Sequence, residues 1–170
     1  MKNPGLFLGR FQPLHKGHVH ALKEVFGKEE KVFIVIGSAQ AGFTPENPFT
    51  TSERLLMMQS ALDELHIPCS RFLIIPVPDI DNYPKWVDHV RSYVPPFGTV
   101  YTGSDTSEKL FSKHGISVKR ISLYKKDKYQ GKEIRRRMIT GEDWKILVPE
   151  TIVALVNKFD GVNRVKALNY

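Results

Sequence analysis

Five short apolar runs, at residues 6–9, 32–37, 72–77, 99–102 and 118–123, alternate with segments whose apolar positions recur every three or four residues. Runs of that length suit buried strands, and the intervening period suits helices with one apolar face. Strands that alternate with helices pair in parallel through right-handed crossovers, because each crossover must pack back onto a twisted sheet. The pattern predicts an α/β fold on a doubly wound parallel sheet, with one domain over residues 1–170.

The helical segments have readable ends. Val19, Leu22, Val25 and Phe26 mark the first. Thr50, followed three residues later by Glu53, fits a capping box ahead of a core-facing stripe of Leu55, Met58, Leu62 and Leu65. A third helix is expected over about 85–93 and a fourth over about 107–114, each followed by Pro or Gly. From about 130 to 170 the pattern is helical, with Ile152, Leu155, Val156 and Phe159 on one face.

In a doubly wound sheet a ligand sits outside the carboxyl ends of the strands, where the strand order reverses. The chemistry-bearing segments of this chain all follow predicted strands. Residues 9–18, GRFQPLHKGH, place His15 and His18 between the first strand and the first helix. A helix N-terminus offers unpaired N–H groups and partial positive charge to a phosphate, and two imidazoles add donors that can follow it into a transition state. Gly17 lets the backbone come close. Ser38 follows the second strand, residues 79–86 the third and Gly103-Ser104-Asp105 the fourth, so these loops are expected to share one crevice.

Neither G-x-x-x-x-G-K-[ST] nor G-x-G-x-x-G occurs, which removes the main support for a P-loop or a dinucleotide fingerprint. His15, His18 and His20 raise a zinc site, but Cys69 and the carboxylates supply no further ligand at suitable spacing, so no protein-held metal is expected. A purely structural histidine pair is the plainer alternative.

The H-x-G-H segment occurs with Gly37-Ser38-Ala39-Gln40, Pro48-Phe49-Thr50, Ser52-Glu53-Arg54 and Glu133-Ile134-Arg135-Arg136-Arg137-Met138. Together these resemble the nucleotidyltransferase superfamily and, over nearly the whole chain, its archaeal nicotinamide-nucleotide adenylyltransferases. The resemblance implies a Rossmann-like domain with a helical C-terminal part. It implies condensation of ATP with nicotinamide mononucleotide (NMN) to NAD and pyrophosphate, with Mg2+ carried in on ATP.

By the same resemblance His15 and His18 contact phosphate, with His18 stabilising the α-phosphate. Arg10 holds phosphate of either substrate, and Arg135 takes the β- and γ-phosphates. Gly9, Phe11, Gly17, Gly103, Asp105, Tyr124, Lys132 and Ile134 would bind ATP. Ser38, Asn82 and Trp86 would bind NMN, Trp86 offering its π face to a cationic ring. Lys132 departs from the family pattern, which usually has threonine or serine there. Plainer readings stand beside three of these: Trp86 as a core residue opening a helix, Asn82 serving only its turn, and Asp105 as a helix cap. Successive helical residues point about 100° apart, so at least one of Arg136 and Arg137 should face solvent or a neighbouring subunit. The resemblance also implies a homo-oligomer, hexamers being common among archaeal relatives.

A chain of 170 residues is long enough to bury roughly 70% of the surface it exposes unfolded. One cysteine, Cys69, allows no internal disulfide, and the start Met1-Lys2-Asn3 lacks the apolar core of a signal peptide. No apolar stretch approaches the ~20 residues that span a bilayer, so a cytoplasmic protein is expected. The net charge of +7 is regional: residues 113–137 hold ten Lys or Arg against Asp127 and Glu133, a local +8, leaving −1 elsewhere. Such a patch can draw nucleic acid or focus a triphosphate. A basic RNA-binding module is the alternative of another class, but it leaves His15, His18 and Gly17 unexplained. Enzymes using FMN, phosphopantetheine, or sugar or choline phosphate as acceptor would share the histidines and remain alternatives.

Overall fold

Val32–Ile36 is buried at every residue, as a parallel strand covered on both faces must be. In the computed structural model, which describes residues 3–121 and 128–169, this strand is β2. The other strands are β1 (Gly5–Gly9), β3 (Phe72–Pro76), β4 (Val100–Thr102) and β5 (Val118–Arg120). The helices are α1 (Lys16–Phe26), α2 (Thr51–Glu64), α3 (Trp86–Tyr93), α4 (Asp105–Lys113), α5 (Gly131–Thr140), α6 (Glu150–Lys158) and α7 (Gly161–Ala167).

All strand pairs are parallel, in the order β3-β2-β1-β4-β5. Phe7 sits at the centre of the register, opposite Ile34 on β2 and Tyr101 on β4. The order reverses between β1 and β4, which makes the sheet doubly wound and Rossmann-like, as the alternation predicts.

The chain groups into two compact units. The first, residues 1–10, 21–40 and 68–123, holds the sheet. Leu6, Phe33, Val35, Val77 and Val100 pack there against Val87, Val90 and Phe111 of α3 and α4. The second unit, residues 11–20, 41–67 and 124–170, is helical. Its α2 starts on the expected capping box: Glu53 N–H donates to Thr50 Oγ1 (3.3 Å) and Thr50 N–H to Glu53 Oε2 (2.8 Å). Arg164 of α7 donates to the same Glu53 carboxylate at 2.7 Å and lies over the Phe43 ring at 4.5 Å. Burial pulls the Glu53 carboxyl up, but the bonds from Arg164 and Thr50 outweigh it and hold the group below its usual range.

Three boundaries differ from expectation. α4 begins at Asp105 because Ser104 is its cap, its Oγ accepting from Ser107 N–H at 3.3 Å, so Asp105 is not the cap. α3 is preceded by a tight turn over Tyr83–Lys85. β5 ends at Arg120, and positions 122–123 of the expected run lie outside the described residues. Among the described residues no helix is long and apolar enough to cross a membrane.

Candidate active site

In the second unit the chain turns at Phe11, whose φ of +55° is a left-handed value that bulky side chains rarely adopt. Such strain costs on the order of 1–3 kcal/mol and gathers at functional sites. His18 and Val19 N–H groups then donate to the His15 carbonyl at 2.9 and 3.1 Å, closing the first turn of α1. The two imidazoles are tied reciprocally. His15 N–H donates to His18 Nδ1 and His18 N–H to His15 Nδ1, both at 3.3 Å, and the rings stack with centroids 3.6 Å apart. The Phe11 ring meets His18 edge-on at 4.8 Å. A neutral imidazole that accepts at Nδ1 carries its proton on Nε2, so both rings present an Nε2–H donor. Gly17 makes room here: a Cβ would lie 3.0 Å from His15 Nδ1 and 3.0 Å from Tyr129 Cβ, so one of those side chains would have to give by a few tenths of an ångström.

Burial lowers His15 to about 4, and burial together with repulsion from His15 lowers His18 well below the usual 6.5. The pair is neutral at pH 7, a donor set and not a cation pair. Unfolded, His15 binds its proton near 6.5 and folded only near 4. Between those values the unfolded chain holds more protons, so stability complete above pH 6.5 is lost as pH falls toward 4. The shift corresponds to roughly 3 kcal/mol. In His15→Gln that share of acid destabilisation should vanish, read as the variant-minus-parent unfolding free energy from denaturant titrations between pH 6.5 and 4. A difference that stays constant with pH would mean that His15 titrates normally in the fold.

The start of α5 is fastened to the same turn. Arg135 Nη1 donates to the Gln12 carbonyl at 2.7 Å. Buried Gln12 exchanges two hydrogen bonds with the Phe49 backbone, Nε2 donating to its carbonyl (2.7 Å) and Oε1 accepting from its N–H (2.9 Å). Gln12 is a positioning residue that its sequence context did not single out. Ile134 has its side chain fully buried and its N–H bonded to the Gln130 carbonyl, so it shapes the helix. Gly131, Lys132 and Glu133 precede that bond and are positions whose N–H groups face out of the helix start. Lys132 is exposed and forms no ion pair among the described residues.

Arg136 pairs with Glu133 and Glu142, and Arg137 with Glu133 and the Asp143 carbonyl. Arg136 first and Arg137 second hold the Glu133 carboxyl at about 2. Arg120 is likewise paired with Asp105 and Glu108. The local +8 is therefore partly neutralised by acids from outside residues 113–137.

The first unit contains a cavity of about 630 Å³ at the carboxyl ends of β1 to β4. Of the predicted residues, Gly9, Arg10, Ser38 and Trp86 line it. Ser38 is buried with φ +50°, a second strained position. Half-buried Trp86 packs edge-on against Phe111 at 5.5 Å, as a residue opening a helix against the core would, and also forms cavity wall. Asn82, Gly103 and Asp105 are not among the walls. The Asn82 side chain caps its own turn by accepting from Lys85 N–H at 3.2 Å. Tyr124 lies outside the described residues. Asp79, Asp81 and Tyr83, from the segment 79–86 expected at the crevice, and Ser104 of the expected turn after β4 also line it, whereas sequence reasoning missed the hydroxyl-bearing Thr102, Thr106 and Ser107. The hydroxyls follow a strand and open a helix, where such residues ordinarily serve as caps.

A doubly wound sheet with its cavity at the strand ends, and a paired-histidine turn opening a helix, defines an α/β nucleotide-handling protein. Residues 6–137 match the cytidylyltransferase-like family, and the chain belongs to it, in its nicotinamide-nucleotide adenylyltransferase branch. It is 47% identical over 164 residues to the nicotinamide-nucleotide adenylyltransferase of Pyrococcus horikoshii, covering 96% of this chain and 88% of that one. It is also similar to a solved bifunctional NMN adenylyltransferase/ADP ribose pyrophosphatase from Francisella tularensis, with TM-score 0.84 and 25% identity over 99% of this chain. The form of that enzyme complexed with AMP and an Mn ion gives a TM-score of 0.82 and 26% identity, again over 99% of this chain. This chain spans 54% and 52% of those two chains, about half of the bifunctional enzyme.

Proposed function

We propose that this chain joins ATP to NMN, giving NAD and pyrophosphate. An oxygen of the NMN phosphate attacks the α-phosphorus of ATP. A new P–O bond forms as the bond to the β-phosphate oxygen breaks, and pyrophosphate leaves with that electron pair. The acceptor phosphate is already ionised, so no general base is needed, and catalysis reduces to position and charge stabilisation.

The observation that carries the reading is the reciprocal histidine pair, fixed as two Nε2–H donors. We assign His18 to the α-phosphate and His15 beside it. Arg10 is assigned to substrate phosphate, and Arg135 and Lys132, at the start of α5, to the β- and γ-phosphates. Trp86 is assigned to the nicotinamide ring. These are phosphate and ring ligands, and among the described residues no group of three acids, histidines or cysteines is arranged to hold a metal. That donor set fits Mg2+ held by the triphosphate, where it would screen phosphate charge during attack and departure. A cytoplasmic homo-oligomer is the setting we propose.

Pyrophosphate release from Mg-ATP with a panel of acceptors tests the reading. NMN should exceed FMN, phosphopantetheine, choline phosphate and sugar phosphates in kcat/KM. A different acceptor at the head of the order would overturn it.

A further inference from the structure

Two acids and two aromatic rings line one end of the cavity, and the assignments above use only one of the four. Asp79 and Asp81 follow β3, whereas Arg10 follows β1, two strands away in the sheet. Two strand spacings amount to roughly 10 Å. Both carboxylates are exposed and pair with no Lys or Arg among the described residues. The segment that carries them is held at both ends, Asp79 N–H donating to Gln40 Oε1 at 2.9 Å and Asn82 capping the turn that follows. That turn is of the tight, three-residue kind, in which positions i and i+3 eclipse. Tyr83 and Trp86 are so related, and both line the cavity, although Tyr83 remains 68% exposed. An exposed ring on a cavity wall offers a flat apolar face to a planar ligand.

We infer that Asp79 and Asp81, with the rings of Tyr83 and Trp86, make this end of the cavity select a ring of net positive charge. This rests on the reading of the chain as an NMN adenylyltransferase. The N-alkylpyridinium of NMN carries +1 beside a neutral carboxamide. In the 3-carboxylate counterpart, nicotinic acid mononucleotide, the added negative charge cancels it and meets two like charges on the wall. In the dihydro form of NMN the ring is uncharged, so neither the acids nor the π faces attract it as a cation.

The test is kcat/KM for NMN, nicotinic acid mononucleotide and dihydro-NMN with Mg-ATP, for the parent protein and the doubly substituted Asp79→Asn, Asp81→Asn protein. These isosteric changes at exposed positions leave the fold little to lose, and thermal melting checks that. The preference for NMN over the acid should fall by about fivefold or more, through a gain on the acid, while KM for ATP stays within about twofold. Tyr83→Leu should erode the preference for NMN over dihydro-NMN by a few-fold. In the parent, added salt should compress the NMN-over-acid preference, because screening weakens charges at an exposed wall. Preferences that stay put in the variants and in salt overturn the inference and leave the adenylyltransferase reading intact. A parent protein that turns over none of the three nucleotides overturns both.

Discussion

His18→Ala should lower kcat by about 100- to 1000-fold while KM for either substrate changes only a few-fold, the scale of losing one preorganised donor to a developing charge. Only one of the His18 ring nitrogens is left to meet substrate. Its Nδ1 is occupied by the His15 N–H at 3.3 Å, leaving Nε2–H as the group that can meet a phosphate oxygen. Its pKa lies well below 6.5, so the donor is neutral and cannot attract the triphosphate over distance as a cation would. The pH profile separates this from acid–base chemistry. The dependence of kcat/KM reports groups of the free enzyme, and both histidines titrate well below 6.5 there. The profile should therefore show no histidine inflection near 6.5, and any slope near pH 6 should match the substrate phosphate, whose second pKa is about 6. A folded His18→Ala protein within tenfold of parental kcat, or an inflection near neutrality that the substitution removes, would reject the assignment.

The elements that sequence made legible are those written in local period and capping chemistry. The run before Arg10 and the helical spacing after His18 locate the histidine turn between β1 and α1, and Thr50 with Glu53 starts α2 where expected. Parallel order follows from alternation alone. What stayed hidden depends on partners distant in the chain. That Arg136 and Arg137 are both engaged by nearby acceptors is invisible until Glu142 and the Asp143 carbonyl are brought beside them. Gln12 is one polar residue among apolar ones until its amide is seen against Phe49, 37 positions on. The sequence places segment 79–86 at the crevice, but that Asp79, Asp81 and Tyr83 form wall while Asn82 does not depends on how the chain leaves β3. The reciprocal bonds of His15 and His18 were also beyond reach, since a three-residue spacing fixes which residues meet and leaves open which nitrogen accepts.

Gly131→Ala pits two effects of opposite sign against each other at the start of α5. Replacing glycine by alanine within a helix ordinarily stabilises by about 0.5–1 kcal/mol, because the unfolded chain loses freedom. Here the new Cβ would lie 2.7 Å from the Gln12 carbonyl oxygen and 3.1 Å from Arg135 Nη1. The carbonyl is backbone and cannot swing aside: Arg135 holds it at 2.7 Å, and the Gln12 side chain is bonded twice to Phe49. Relief has to come from moving the first turn of α5 away from residues 12–18. Overpacking of this kind costs about 1–3 kcal/mol, which exceeds the propensity gain. Net of that gain the loss reaches about 2.5 kcal/mol, so Tm should fall by up to roughly 10 °C, given the 2–4 °C per kcal/mol of a domain this size. Because the displaced turn carries Arg135 and Lys132, kcat/KM for ATP should drop by about tenfold or more, a shift of about 1.4 kcal/mol in transition-state stabilisation. Calorimetry and initial rates on the same preparation give both numbers. A more stable Gly131→Ala protein with parental ATP kinetics would show that the turn relaxes freely and that its close approach to Gln12 has no part in placing Arg135.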